Sequence, residues 1–382
     1  MNKFLTGECI GQPENTSDIK QAILPMDFTY KIYQPTAMNP ILTQHPTTDP
    51  AIILQLRDRQ YAAELIATAL LRFDFFSWLQ ENEGTTEEAA AKYFQCENRP
   101  FDVLLTLCRA YGFITGGADG LSLTGMGKEH LVEGSPWYLG PYYTPMRDTP
   151  IVRTYLHVLG TGKPGNWRAK DTGADWHDSM REPAFAKEFT GLMNCRGLLL
   201  GQKLAESITP FLGERTRLLD IGGGSGIYSA TLCAAHPQLS ATVFEQAPVD
   251  RIARSEVGRH GLEDRISVKT GDMFLDEWPE AEIILLSNVL HDWDIPQVRE
   301  IIIRAAKSLV PDGLLIIHDA FIDDDKCGPV EIAEYSALLM NITQGKCYSV
   351  AEYAGILAPL GFEIGSFNPT ISKRGFVTAI KK

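Results

Sequence analysis

The sequence predicts an α/β protein in which a parallel sheet, covered by helices on both faces, fills the C-terminal half and a mainly helical part precedes it. Three observations point there. From residue 217 onward, short apolar runs alternate with helical stretches. A glycine-rich segment, Gly222-Gly223-Gly224-Ser225-Gly226, closes the first of those runs. Upstream of about residue 180, apolar residues recur at helical spacing. The 382 residues correspond to two or three domains at roughly 150 residues each. We place the divisions at 1–50, 51–180 and 181–382. An apolar content of 44% is enough for a sizeable core. The 48 acidic residues outnumber the 35 basic ones, for a net charge of -13, and this argues against nucleic acid as a partner. No apolar run approaches the roughly 18 residues of a membrane span, and the start carries no stretch long enough for a signal peptide. The seven cysteines form no CxxC pair, so we expect reduced thiols, a cytoplasmic location, no disulfide framework and no zinc ribbon. The Asn-x-Thr/Ser triplets at Asn15 and Asn341 are then not glycosylation sites.

Residues 1–50 contain six prolines and little apolar periodicity, which suggests an extended arm that can wrap a partner. From Pro50 to about Leu79 the residues Ile53, Leu56, Tyr61, Leu65, Ala69, Phe73 and Phe76 recur at helical spacing. Thr85 and Thr86 can cap a helix over Thr86–Phe94, with Glu87 and Glu88 in its first turn. Another helix is expected over Phe101–Tyr111. Phe113-Ile114-Thr115, a glycine-rich turn and Leu121-Ser122-Leu123 read as a hairpin. Helices followed by a small hairpin form a winged-helix pattern. The helix at 86–94 carries a single lysine against two glutamates, so a structural or dimer-forming role suits it better than DNA recognition. Residues 134–175 read as a connecting region. A long helix is expected from Pro183 to about Ile208, with Pro210 and Gly213 marking its end. Strands follow at 217–221, 241–245, 266–269, 283–286 and 314–317. The segments 362–364 and 376–380 have no helix between them and read as a terminal antiparallel hairpin.

The chemistry concentrates at the carboxyl ends of these strands, where open α/β sheets bind ligands. Glycines at alternate positions let a ligand approach the backbone without Cβ obstruction. A dinucleotide fingerprint needs a glycine at 227, where Ile227 stands. The acid Asp220 before the loop suits a sulfonium or ammonium rather than a pyrophosphate. Glu245, 25 residues after Asp220, can accept both hydroxyls of a ribose. Asp272 can accept an adenine amino group while Met273 packs on the ring, although Met273 serves equally as core. His291, in Leu290-His291-Asp292-Trp293, sits at the mouth of the sheet and has the chemistry of a general base. Asp319 ends the next strand, where it can fix the histidine's tautomer. His318 beside Asp319, with His291, raises metal ligation, but His318 and Asp319 are successive strand residues and point to opposite faces, so no metal site is expected.

With these motifs in order, residues from about 180 to the end resemble the class I S-adenosylmethionine-dependent methyltransferases. They are most similar to the small-molecule O-methyltransferases related to plant caffeic acid and hydroxyindole enzymes. The resemblance rests on Leu219–Gly226, Gly271–Phe274 and Leu290–Trp293, and more loosely on a winged-helix dimerisation domain before them. It implies a Rossmann-like sheet of seven strands, S-adenosyl-L-methionine as cofactor and a homodimer formed through the N-terminal domain. It implies cofactor contacts at Asp220, Gly222, Gly224, Gly226, Glu245, Asp272, Met273, Phe274, Ser287 and Trp293. It implies His291 as catalytic base, with Asp319, 28 residues later, orienting it. Phe185, Phe189, Met193, Arg196, Asn341 and Cys347 fall where the family meets its substrate. Cys347 stands where the family often has a glutamate that also orients the histidine. Arg196 suggests an acceptor with an acid group, or a pair with Glu188.

The expected reaction is methyl transfer from S-adenosylmethionine to a hydroxyl of a small aromatic or conjugated acceptor. C-methylation of a phenol or 2-oxo acid keeps the same cofactor site, and so does a non-methylating, pericyclase-like relative.

Overall fold

The computed structural model describes residues 39–117, 120–165 and 179–382. The arm expected over 1–50 lies outside the described residues up to residue 38, and so does the connecting region from 166 to its end at 175.

The N-terminal half begins with α1 (Ala51–Leu71), α2 (Phe75–Glu81), α3 (Glu87–Tyr93) and α4 (Asn98–Ala110). The helical periodicity up to Leu79 is split between α1 and α2. Asp74 takes a left-handed conformation (φ 48°), and its carboxylate accepts from the Ser77 hydroxyl at 2.6 Å. The Thr86 hydroxyl caps α3, accepting from Ala89 N at 3.2 Å, and Glu87 and Glu88 lie in the favourable first turn. Strands β1 (Ile114–Gly117) and β2 (Gly120–Leu123) pair antiparallel, with Ile114 opposite Leu123. Short helices α5 (Gly125–His130) and α6 (Gly140–Tyr143) lead to α7 (Pro150–Thr161). Phe75, Phe76, Leu79, Phe101 and Leu104 form a core that also takes in Ile332, Leu338 and Met340 from late in the chain. The N-terminal helices thus share one apolar cluster with the C-terminal part.

Helix α8 (Pro183–Leu212) runs through Pro210 instead of stopping near Ile208. Proline removes the N–H that would bond the Glu206 carbonyl. The Thr209 hydroxyl donates to that carbonyl at 3.1 Å, so the last turn stays satisfied. Residues 39–44 lie along this helix: Leu42 is buried with Leu200, Leu204 and Ile208, and the Gln202 amide donates to Gln44 O at 2.9 Å.

Next come β3 (Arg217–Ile221), α9 (Ile227–Ala235), β4 (Ser240–Glu245), α10 (Val249–Arg259), β5 (Ile266–Thr270), β6 (Ala281–Ser287), α11 (Ile295–Ser308), β7 (Leu309–Asp319), α12 (Val330–Ile342), α13 (Val350–Leu357), β8 (Phe362–Ile364), β9 (Asn368–Pro369) and β10 (Gly375–Lys381). The strand order is β5-β4-β3-β6-β7-β10-β8, parallel through β7 and antiparallel at β10 and β8. This is an α/β fold with a mixed sheet and a helical N-terminal region. Successive residues feed opposite faces: Leu219, Ile284, Leu286 and Ile317 pack on one side, Leu218, Ile283, Leu285 and Ile316 on the other. Seven strands were expected, and the sheet has eight. The extra one is the two-residue β9, which folds back onto β10 and, being so short and containing a proline, carries no strand pattern.

Candidate active site

Strand order reverses beside β3: the chain moves outward to β4 and β5, then returns to β6 on the other side. Such a switch point leaves a crevice above the strand ends, and the Gly222–Gly226 loop lies there. Gly222 and Gly224 have φ of 61° and 58°, which a side chain disfavours. A Cβ at Gly223 would come 2.7 Å from the Asp220 carboxyl carbon, whereas one at Gly224 would meet nothing within 4 Å. The loop is packed from below and open above. Gly224 N donates to Glu245 Oε2 at 3.0 Å, and Gln246 N donates to Glu245 Oε1 at 2.8 Å. Burial pushes the Glu245 carboxyl up to about 7, against the pull of those two backbone donors.

The loop borders a cavity of about 150 Å³. Its walls comprise Gly222–Ser225, Glu245, Gln246, Met273, the ends of β6 (Ser287–Val289) and the turn His291–Trp293. Helix α8 contributes Phe189, Thr190, Met193 and Arg196, α12 contributes Tyr335, Leu338 and Leu339, and α1 contributes Arg57.

His291 lies in a short 3₁₀ turn, Leu290–Asp292, after β6. Its Nδ1 is hydrogen-bonded to Asp319 Oδ1 at the end of β7, which leaves Nε2 as the ring nitrogen available to the cavity. Burial disfavours the imidazolium, but Asp319, Tyr335 and Asp292 outweigh it and push His291 up to about 9. Asp292 lies 3.6 Å from Nε2 and is pushed up to about 6, chiefly by burial. Tyr335 stands edge-on to the His291 ring at 5.7 Å. Its phenol accepts from Arg196 Nη1 at 3.0 Å. Burial raises that phenol, yet Arg196, His291 and Arg374 together hold it below its ordinary value.

Support for the turn comes from the segment after α12. Arg99 of α4 donates to Gly345 O at 2.7 Å. Lys346 is buried between Asp102 and Glu352, with 2.6 Å to each. Gly345 packs so closely that a Cβ would fall 2.1 Å from the His291 carbonyl oxygen and 2.7 Å from Trp293 N. Gly345→Ala therefore forces the His291 turn to move and is expected to cost about 1–3 kcal/mol. A urea midpoint equal to that of the parent would contradict this.

Of the residues singled out from sequence, Gly222, Gly224, Glu245, Met273, Ser287, Trp293, His291, Phe189, Met193 and Arg196 line the cavity, with Asp319 directly behind His291. Others do not. Asp220 lies beneath the loop, 1% exposed, accepting from the Ser229 hydroxyl at 2.7 Å. Burial raises it to about 7, and its carboxylate turns to Ser229 and does not line the cavity. Gly226 caps α9 and donates to Gly223 O at 2.8 Å. Asp272 lines a smaller recess beside Glu245, Gln246 and Met273, and its carboxylate accepts from Phe274 N at 2.8 Å. Phe274 packs edge-on against Trp293 at 4.6 Å and stays outside the wall. Phe185 stacks on Phe189 at 6.1 Å, one turn from the cavity. Asn341 is buried on α12, and its carbonyl accepts from Gly165 N at 2.7 Å. Cys347 faces the N-terminal core, its N–H donating to the Ser336 hydroxyl at 3.1 Å, and burial pushes its thiol well up.

His318 points away from Asp319: its Nδ1 bonds the Ser287 hydroxyl at 2.8 Å, and burial pushes it down to about 3. Among the described residues no three His, Cys, Asp or Glu side chains are grouped to hold a metal ion. Among them, too, no helix is long and apolar enough to cross a membrane. Sequence reasoning missed Arg57, Asp292 and Tyr335. Asp292 was signalled only by adjacency to His291, while Arg57 and Tyr335 come from distant helices whose local pattern is that of ordinary core and surface.

The O-methyltransferase domain model matches residues 153–363. The chain is 31% identical over 304 residues to 3-hydroxy-5-methyl-1-naphthoate 3-O-methyltransferase of Streptomyces sahachiroi, a match that covers 77% of this chain and 84% of that protein. Its structure is similar to that of an O-methyltransferase family 2 protein from Planctomyces limnophilus in complex with apigenin. The TM-score is 0.79 at 28% identity, covering 89% of this chain and 98% of the other. The fold is also shared with human N-acetylserotonin methyltransferase in complex with S-adenosylmethionine, with a TM-score of 0.55 at 21% identity over 88% of this chain and 99% of the other.

Proposed function

Because this chain belongs to the O-methyltransferase domain family, it is a methyltransferase with S-adenosylmethionine as its cofactor, and we propose that it methylates a hydroxyl of a small aromatic acceptor with His291 as general base. The observation that carries this is that His291, backed by buried Asp319, lines the same cavity as the glycine loop. An aromatic acceptor is supported by the naphthoate named for one relative and the apigenin bound to another.

The residues present fit the cofactor. Space opens above Gly224, the Glu245 carboxylate stands beside it, and Met273 and Trp293 supply apolar walls. We assign Gly222, Gly224, Glu245, Met273, Ser287 and Trp293 to holding it, with Asp272 at the neighbouring recess. When bound, S-adenosylmethionine supplies an activated methyl group on a sulfonium. The chain's own tasks are to align the acceptor and to remove its proton. Asp319 holds His291 Nδ1, so Nε2 takes the proton from the hydroxyl. A phenol with a pKa of about 10 is mostly neutral at pH 7, so this base has work to do.

Glu245 must be ionised to accept two hydroxyls. Since burial lifts it to about 7, affinity for S-adenosylhomocysteine is expected to strengthen about tenfold from pH 6 to pH 8. Glu245→Ala is expected to weaken binding about 10–100-fold and to flatten that profile. Calorimetry that finds neither effect removes Glu245 from the site.

We also assign residues 51–180 to a winged-helix dimerisation domain and 181–382 to catalysis, in a cytoplasmic homodimer. The exposed apolar residues Ile52, Ile53 and Leu56 on α1 support an interface there. Methyl-labelled cofactor tests the reaction. Label on an acceptor oxygen with equimolar S-adenosylhomocysteine is expected. Label on a ring carbon means C-methylation, and product without S-adenosylhomocysteine means a non-methylating reaction.

A further inference from the structure

The cavity has a cationic side that transfer to a bare phenol leaves unused. Arg196 of α8 and Arg57 of α1 line it. Arg374, between β9 and β10, is buried behind it with its guanidinium 4.5 Å from the Tyr335 ring centre. None of these three guanidiniums comes within 4.0 Å of a carboxylate among the described residues, although many other arginines of the chain do. Three acids share the neighbourhood: Asp58, which burial raises above its ordinary value against Arg57, Arg374 and Arg196, and Asp319 and Asp292 beside His291, whose charges couple to Arg196.

The donors of Arg196 are underused. Nη1 donates to Tyr335 Oη at 3.0 Å, Nη2 meets only the Met193 thioether at 3.4 Å, and Nε has no partner. Nε and Nη2 form the edge of a guanidinium that grips a carboxylate with two parallel hydrogen bonds. Tyr335, Tyr228 and Asp319 outweigh burial and keep Arg196 charged, while its Nε–Nη2 edge lacks the oxygen acceptors that an anion would supply.

The same Tyr335 ring relates this edge to the base: the His291 ring centre lies 5.7 Å from the Tyr335 ring centre, and the Arg196 guanidinium carbon 5.9 Å. Phe189, Leu338 and Leu339 make the intervening walls apolar. One flat aromatic ring, with a hydroxyl on one side and an anion on the other, spans the two groups. A single planar fork suits a planar two-oxygen anion. We propose that the acceptor is a hydroxyarene carboxylate, its carboxylate held by Arg196 and drawn in past Arg57 while its hydroxyl faces His291. This rests on the methyl-transfer function proposed above and names its substrate class.

The test uses the full chain saturated with S-adenosylhomocysteine, titrated calorimetrically with 3-hydroxy-2-naphthoate against 2-naphthol and with 3,4-dihydroxybenzoate against catechol. At least one acid is expected to bind tenfold or more tightly than its decarboxylated partner. Arg196→Met is expected to erase that preference and Arg196→Lys to restore part of it, with S-adenosylhomocysteine affinity unchanged within twofold in both. Equal or tighter binding of the decarboxylated partners overturns the proposal, and so does failure of every acid to bind. A parallel loss of S-adenosylhomocysteine affinity in Arg196→Met would place the guanidinium at the cofactor's own carboxylate, which also overturns it. Turnover assays with the same pairs separate the two claims. Absence of any methylated product counts against methyl transfer to these acceptors, while the binding preference alone decides the role of Arg196.

Discussion

His291→Ala is expected to lower kcat by about 10²–10⁴-fold, the contribution of a positioned general base, while affinity for S-adenosylhomocysteine stays within about twofold. The split follows from the geometry. His291 Nδ1 is engaged by Asp319, while Gly222, Gly224 and Glu245 line the same cavity and Glu245 is held by Gly224 N and Gln246 N. Removing the imidazole therefore deletes the proposed proton acceptor without touching the glycine loop proposed to hold the cofactor. Unfolding by urea separates a catalytic defect from a structural one, because His291 is 3% exposed and its loss also empties packed space. Full turnover in this variant would exclude His291 from the proton transfer.

Asp319→Asn is expected to have the next largest effect, and its signature is a pH profile. A base works only when neutral. With His291 pushed up to about 9, kcat/KM is expected to rise through the neutral range and level off above about pH 9. Burial by itself lowers the histidine, and Asp319 is the largest influence opposing it. Replacing its charge by an amide therefore moves the rising limb to lower pH. The same change weakens control of the tautomer, so the plateau falls by about 10–100-fold, the worth of one charge-assisted hydrogen bond. A profile with an unshifted limb would show that Asp319 does not set the basicity of His291. The stability sign is opposite. A histidine raised in the folded state stabilises it below its unfolded value of about 6.5. That contribution is lost as pH rises through about 9, so the pH favouring turnover is not the pH favouring folding.

The strands of the C-terminal half were legible because both faces of the sheet are buried. Runs such as Ile283–Leu286 must be apolar at every position, and that pattern is hard to mistake. The glycine loop was legible because its φ values and close contacts admit little else. The end of α8 was not, because Pro210 ordinarily stops a helix and the compensating bond comes from a neighbouring hydroxyl, Thr209. Asp220 was read as facing the ligand, but its carboxylate turns under the loop to Ser229. A side chain's direction at the last residues of a strand depends on what packs beneath it, which a linear pattern does not carry. Cys347, expected at the substrate, turns to the N-terminal core instead. The cationic side of the cavity was legible in one residue of three, since Arg57 and Arg374 lie 139 positions before and 178 after Arg196 and meet it only through the fold.

A structure of the chain with S-adenosylhomocysteine and a hydroxylated aromatic acid bound together tests the central claim most directly. The acceptor's hydroxyl oxygen should lie within about 2.6–3.2 Å of His291 Nε2, on the side of the cavity facing Gly224. A hydroxyl seated away from the imidazole, with a ring carbon or no reactive atom in its place, would contradict base-assisted transfer to oxygen at this site.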